Sequence, residues 1–376
     1  MNSSYAKPAP NLPIRAGAPP LARPTKEEME AFPSQARQLL THSWAVQRSH
    51  LEAEHYNLSW LEGRHLLLVG ATGPGLGGGL ASAVLGTRQA ASVTVIGRDL
   101  SRSLGYETGK AMQTKAEDSG WGNRFCWLNE GAALEGKPLE AILTALKAVK
   151  AERLIYVNTV AAASSGLLPG MPPVFVKDFD EHGLFQWQLT PLSEKQIDMT
   201  KSVMGEMATQ FPRVLAENGF TVESTVFADW RGSLDKISRD PSQREYGRQG
   251  AYSTSLYLPK ESIQQATRAA YGSGQTVLDF FLPMMRTRAL NFIPGGVMMS
   301  RVVETLMAKE DIRYLTVPEL ALGVLDRLGK SLAGQNDNPF PRLDGHEAPL
   351  DEWLFEVLER LNNNENSDFY YKRWLK

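Results

Sequence analysis

One stretch limits what this chain can fold into more than any other. Four apolar residues, Leu66–Val69, run straight into Gly70-Ala71-Thr72-Gly73-Pro74-Gly75-Leu76-Gly77-Gly78-Gly79, in which six of ten positions are glycine. An apolar run then resumes at Leu80–Leu85. This order predicts a buried strand, a tight backbone turn and the first turns of a helix. Glycine suits such a turn because a side chain would keep a phosphate away from the backbone, and a helix N-terminus adds free N–H groups and a partial positive charge. The spacing is Gly70-x4-Gly75-x-Gly77, not GxGxxG. It fits a nucleotide site contacted by Gly70, Thr72, Gly73, Gly75, Leu76 and Gly77. It also fits a glycine-rich loop that only lets a helix lie close to a strand.

The chain beyond the turn alternates strand and helix patterns. Short β-branched or apolar runs fall at Ser92–Ile96, Phe125–Leu128, Leu154–Val157 and Thr221–Ala228, with helical spacing at Leu139–Val149, Ser193–Gly205, Met207–Glu217 and Pro259–Tyr271. Pro259 is placed near the first turn of its helix. Residues 166–190 carry Pro169, Pro172 and Pro173 and are expected to be irregular, and 231–251 to be a surface insertion. The alternation predicts an α/β protein with a doubly wound parallel sheet. Ligands of such sheets sit at the carboxyl ends of the strands, so the residues just after each strand are informative. After the second strand come Gly97, Arg98, Asp99, Ser101 and Arg102. A guanidinium fork suits a 2′-phosphate, which favours NADPH over NADH, with Asp99 the alternative that would take ribose hydroxyls. After the fourth strand come Asn158, Thr159, Val160 and Ala161, small enough to leave room for a nicotinamide ribose.

Composition excludes several classes. A net charge of −2 over 376 residues provides no basic excess for general nucleic-acid binding. The single cysteine, Cys126, rules out an internal disulfide, fits a reducing, cytoplasmic compartment and is expected to be buried. No histidine spacing suggests a metal site. No run reaches the roughly 18 apolar residues of a membrane span, and the start of the chain lacks the apolar core of a signal peptide. Residues 1–24, with six prolines, are expected to form a mobile arm and 25–61 a helical extension that docks through Trp44, Leu51, Tyr56 and Trp60. A main domain over 62–330 and a linker with a final helix over 331–376 complete the organisation. Apolar Val277–Phe281, Leu282–Met285 and Val297–Met299 suit either core or an acyl channel.

Reduction on such a sheet needs an acid near the substrate. A tyrosine beside a lysine ammonium serves, because the nearby charge favours the phenolate and eases proton transfer. The Tyr-x3-Lys spacing occurs at Tyr106 and Lys110, but on the adenosine side of the sheet and with Gly109 inside the turn. Tyr252 and Lys260 are better placed, after the fifth strand. Eight residues apart, they can meet only if Tyr252 lies in the loop before the helix. Tyr246 and Tyr257 are the alternatives.

These segments, in order, resemble the trans-2-enoyl-ACP/CoA reductases of the FabV/TER type, large members of the short-chain dehydrogenase/reductase superfamily. Gly70–Ala81 resembles the family's cofactor loop, enlarged, and Tyr156–Ala163 its fourth strand. Leu192–Gly205, with Glu194, Ile197, Thr200, Val203, Met204 and Gly205, resembles its ExxIxxTxxVMGG helix. Thr287–Pro294 resembles its TxASSxIP turn against the nicotinamide, which adds Thr287, Ile293 and Pro294 to the cofactor contacts. The likeness covers roughly residues 62–310. The Tyr252–Lys260 spacing is one residue shorter than the family's, a second family tyrosine falls at Trp230, and Gly97-Arg98 replaces an acid at the end of the second strand. The resemblance implies a Rossmann fold of the extended short-chain dehydrogenase type with helical additions at both ends. It also implies reduction of the C=C of an enoyl thioester carried on coenzyme A or acyl carrier protein, with Tyr252 and Lys260 catalytic. A ketoreductase, or a non-catalytic binding subunit on the same fold, are the alternatives.

Overall fold

The computed structural model describes residues 57–72, 75–97, 104–160, 175–179, 185–189, 194–230, 247–282, 316–335 and 338–343. A 3-10 turn at Ser59–Leu61 leads into β1 (His65–Val69), α1 (Leu76–Thr87), β2 (Ser92–Ile96), α2 (Leu104–Asp118), β3 (Phe125–Leu128), α3 (Gly136–Ala148) and β4 (Arg153–Asn158). There follow β5 (Phe175–Phe179), β6 (Phe185–Leu189) and α4 (Glu194–Lys201), which passes through a π turn at Ser202–Glu206 into α5 (Met207–Glu217). The chain continues with β7 (Thr221–Trp230), α6 (Gly247–Gly272), β8 (Thr276–Leu282) and α7 (Val317–Leu332).

Six strands form one sheet in the order β3-β2-β1-β4-β7-β8, every neighbouring pair parallel. β1 and β2 are buried at all five positions, which explains why they read as continuous apolar or β-branched runs instead of alternating ones. Alternate side chains feed two layers. Leu66, Leu68, Val93, Val95, Ile155 and Val157 pack with α1, α2 and α7. Leu67, Val69, Ile96, Leu154 and Tyr156 pack with α3, α5 and α6.

The β8 edge does not end the ladder. Asp279 N–H donates to Pro339 O (2.8 Å), Phe281 N–H to Pro341 O (2.9 Å) and Leu343 N–H to Phe281 O (3.1 Å). Residues 338–343, expected in a linker, therefore cover the edge strand. At the amino end of the sheet the β4–β7 register slips between Leu154 and Ile155. Glu223, the residue skipped there, accepts from Arg64 Nε (2.8 Å), Arg64 Nη2 (2.9 Å) and Arg153 Nη2 (2.7 Å). The lead-in docks through Leu58, Leu61 and Trp60, whose indole Nε1 would stand 2.8 Å from a Cβ at Gly329.

Several expectations change. The stretch 166–190 holds the antiparallel hairpin β5–β6, with Phe175 opposite Leu189 and Lys177 opposite Trp187. The two helices expected over 193–217 form one continuous unit through the π turn. α6 starts at Gly247, within the stretch expected to be a surface insertion, and Pro259 lies inside it instead of at its first turn. Cys126 is half-buried, not buried, and burial raises its thiol above the usual value. Val277–Leu282 is the core strand β8. The arm 1–24, the extension up to residue 56, Met285, Val297–Met299 and the final helix lie outside the described residues. Among the described residues no helix is long and apolar enough to cross a membrane.

Candidate cofactor and substrate site

The carboxyl ends of β1, β2 and β4 meet at the glycine turn. Gly70 leaves β1 with φ +81°, a conformation side-chain-bearing residues rarely adopt. Its N–H and that of Ala71 both donate to Ile96 O (2.9 and 3.3 Å), fastening the turn to β2. On the other side Thr159 N–H donates to Val69 O (2.9 Å), and Thr159 Oγ1 donates to Val69 O (3.0 Å) and to Gly70 O (3.2 Å). α1 begins after Gly75. No side chain caps it and no acid stands in its first turn, so the positive end of the helix is left for an anion.

The glycines there leave no room for side chains. A Cβ at Gly70 would stand 3.0 Å from Val160 N, and one at Gly77 would run into Thr159 Oγ1, 2.7 Å from Ala71 Cα and 2.9 Å from Gly70 O. One at Gly97 would overlap the Thr72 side chain. This tightly drawn backbone cradle over an uncapped helix start fits a dinucleotide pyrophosphate. Gly79 is different. Its Cβ would meet Val317 Cγ1 at 3.0 Å and Ala321 Cβ at 3.2 Å, so this glycine seats α7 against α1.

At the end of β4, Asn158 is buried. Its Oδ1 accepts from Val160 N (2.9 Å) and its Nδ2 donates to Tyr156 OH (2.8 Å). Tyr156 is fully buried and stacked on Phe211 with ring centroids 5.5 Å apart. Burial drives its phenol far above the ordinary value, with the Asn158 bond opposing. Its full burial and its stack on Phe211 make it part of the core.

Lys260 lies on α6 and is 9% exposed. From Gly272, at the amino side of the sheet, twelve residues of helix rise about 18 Å, roughly the length of a five-residue strand. This count puts Lys260 on the carboxyl-end half of α6's run along the sheet, the end at which the glycine turn lies. The π turn packs against this part of α6, where a Cβ at Gly205 would stand 2.8 Å from Pro259 Cα and 3.1 Å from both Pro259 Cβ and O. The Val203-Met204-Gly205 segment is thus the crossing point that holds the lysine's turn. Single π turns inside helices are frequent at functional sites, and no residue type in the sequence announces this one.

Tyr252 is placed by its backbone within α6, not in a loop before it. Eight helical residues separate it from Lys260 by about 12 Å along the axis, whereas Tyr257 is one turn from Lys260. The side chains of residues 247–258, together with Gly73, Arg98, Asp99, Arg102, Ala161, Tyr246, Thr287, Ile293 and Pro294, lie outside the described residues. Of the other expected contacts, the structure brings Gly70, Thr72, Gly75, Leu76, Gly77, Asn158, Thr159 and Val160 to one edge. In the Tyr106–Lys110 segment, a Cβ at Gly109 would stand 2.5 Å from Trp127 Nε1, and Lys110 is exposed. That glycine serves the packing of α2 on β3. A polar hollow of about 630 Å³ beside His65, Ser92, Arg124 and Glu152 lies at the opposite, amino end of the sheet.

Strand order, the glycine turn and the change of direction between β1 and β4 define a doubly wound Rossmann fold. No family model matches the sequence, and no curated protein matches it. Solved structures do match. The Clostridium acetobutylicum trans-2-enoyl-CoA reductase in complex with NADH is similar over 92% of this chain and 89% of that one, with a TM-score of 0.57 at 14% identity. The same enzyme with NAD gives 0.54 at 15% identity, over 91% of this chain and 92% of that one. A Serratia marcescens short-chain dehydrogenase/reductase gives 0.50 at 13% identity, over 75% of this chain and 97% of that one. The resemblance carried by the motifs is met by a likeness of fold along nearly the whole chain.

Proposed function

We propose that the chain is a nicotinamide-dependent reductase that prefers NADPH and reduces the C=C of a conjugated enoyl thioester. What supports this reading is the buried Lys260, on the turn of α6 that crosses Gly205, together with the glycine cradle, in a fold similar to an enoyl-CoA reductase over 92% of the chain. A bound nicotinamide would supply hydride to the β-carbon of the substrate. The turn residues Gly70, Gly75 and Gly77 with the start of α1 would hold the pyrophosphate. Asn158 and Thr159 would flank the nicotinamide ribose, and Lys260 would hold its hydroxyls and supply positive potential. Negative charge would gather on the thioester oxygen, where a tyrosine hydroxyl would donate a hydrogen bond, an interaction typically worth about 3 kcal/mol. The family resemblance points to Tyr252 for that role. Helical spacing favours Tyr257 as the second reading.

The test is a comparison of Tyr252→Phe, Tyr257→Phe and Tyr246→Phe, assayed for NADPH oxidation with crotonyl and acetoacetyl thioesters beside an NADPH titration. Tyr252→Phe should lower crotonyl turnover about 100-fold and leave NADPH affinity within about twofold. Loss confined to Tyr257→Phe would transfer the role to that residue. Activity on the acetoacetyl thioester alone would make the chain a ketoreductase. Full activity in all three variants would refute a tyrosine acid.

A further inference from the structure

The contact between Thr72 and Gly97 has a consequence for which nucleotide the cradle accepts. Thr72 lies in the turn after β1, and Gly97 ends β2. Gly97 is tied to the sheet by its N–H donating to Leu128 O (3.1 Å), and the two residues before Thr72 by Gly70 and Ala71 N–H donating to Ile96 O. A Cβ built on Gly97 overlaps Thr72 Oγ1 and Cγ2 and lies 2.6 Å from Thr72 Cβ. Because the Thr72 Cβ is fixed by its own backbone, no side-chain rotation clears the overlap. While Thr72 is present, a side chain at position 97 therefore requires one of the two backbones to shift.

In doubly wound sheets the end of the second strand is where an acidic side chain takes the adenosine ribose 2′-hydroxyl, and a carboxylate there repels a 2′-phosphate. We propose that Thr72 is a specificity-determining residue. By filling the space a side chain at position 97 would need, it keeps a carboxylate out and leaves the adenosine 2′ position open to a phosphate. The proposal rests on the dinucleotide reading above and deepens it. The determinant is a steric pair across two strands, and it acts whether or not a cation stands nearby.

The experiment uses the full chain. Dissociation constants for NADPH and NADH are measured by titration, and melting temperatures are recorded, for the wild type, Thr72→Gly, Gly97→Ala, Thr72→Gly/Gly97→Ala and Thr72→Gly/Gly97→Asp. The wild type is expected to bind NADPH at least about tenfold more tightly than NADH. Gly97→Ala should melt several degrees lower, and adding Thr72→Gly should restore most of that loss. Relative to Thr72→Gly alone, Thr72→Gly/Gly97→Asp should move the ratio of dissociation constants at least about tenfold toward NADH. A Gly97→Ala protein that melts with the wild type overturns the proposal. So does a folded Thr72→Gly/Gly97→Asp protein with the ratio of Thr72→Gly. If that variant does not fold, the wild-type ratio and the alanine melting cycle decide, and equal wild-type affinities overturn the proposal. Binding of neither nucleotide by the wild type refutes the dinucleotide reading itself, a result distinct from equal binding of both.

Discussion

Replacing Gly205 with alanine separates positioning of the lysine from stability of the fold. The added Cβ would stand 2.8 Å from Pro259 Cα and 3.1 Å from Pro259 O. Both are backbone atoms, so no rotamer change relieves the contact. Ordinary carbon–carbon contact requires α6 to retreat by about 0.6–1 Å at this turn. Such overpacking costs about 1–3 kcal/mol, and alanine regains about 1 kcal/mol over glycine in a helical segment. The net loss of stability is therefore small, about 0–2 kcal/mol, a few degrees of melting temperature. Lys260, the next residue after Pro259, moves with the helix. A misplacement approaching 1 Å in a group that orients the reaction can cost up to about 100-fold in rate. Gly205→Ala should thus remain folded, keep NADPH affinity within a few-fold and lose about 10- to 100-fold in crotonyl-thioester turnover at saturating NADPH. Wild-type turnover in a folded Gly205→Ala protein would refute the idea that this crossing positions the lysine.

Two further predictions test other parts of the molecule. Gly77→Ala, whose Cβ meets backbone of the turn at 2.7 and 2.9 Å, should weaken NADPH binding more than about tenfold. Gly79→Ala, which meets chiefly the side chains of α7, should lower the melting temperature and leave the nucleotide titration unchanged; equal effects of the two on binding would refute the division. Stability should also fall in two acid steps. His65, its Nδ1 2.7 Å from Ser92 Oγ, is held below its ordinary value of 6.5 by burial, with Glu152 opposing. The unfolded chain therefore takes up that proton first, and stability that is complete above about pH 6.5 declines below it. Partial burial would raise the Glu223 carboxyl, but the bonds and charges of Arg64 and Arg153 outweigh it and hold it below the ordinary glutamate value. Its contribution, present above that value, is lost as pH falls through the lowered one. Chemical denaturation against pH should show the upper step vanish in His65→Asn and the lower one flatten in Glu223→Gln.

The buried strands were legible because burial on both faces leaves a continuous apolar signature. Ser92–Ile96, buried throughout, matches the sequence reading residue for residue, as does the half-buried edge strand Phe125–Leu128 through its apolar run. The hairpin β5–β6 also had a signal. Phe185-Gln186-Trp187-Gln188-Leu189 alternates apolar and polar residues with period two, but the prolines before it pointed to a loop. The start of α6 was misplaced for a related reason. Proline is common in the first turn of a helix, whereas here the helix runs through Pro259. Composition could not reveal the π turn, because it depends on how α4 and α5 meet α6. Nor could it place residues 338–343, whose pairing with β8 joins positions more than fifty residues apart.

The glycine run shows the same limit within one segment. Its length looked like an enlarged phosphate turn, yet the structure divides its glycines between two tasks. Gly70 and Gly77 close on Val160, Thr159 and the backbone of the turn itself, at the carboxyl edge where a dinucleotide would lie. Gly79, a little more than half a helical turn beyond Gly77, faces Val317 and Ala321 of α7, a helix capped by Thr316 and Glu319 and seated at its far end by Gly329 on Trp60. A phosphate turn alone would need no glycine at position 79. The extra glycine follows from a helix added more than 200 residues later in the chain, which must lie close to α1 because α1 is itself buried between the sheet and α7. The run is long because one helix start has to admit a ligand at its tip and another helix along its side, and these demands fall on opposite faces of the same turn.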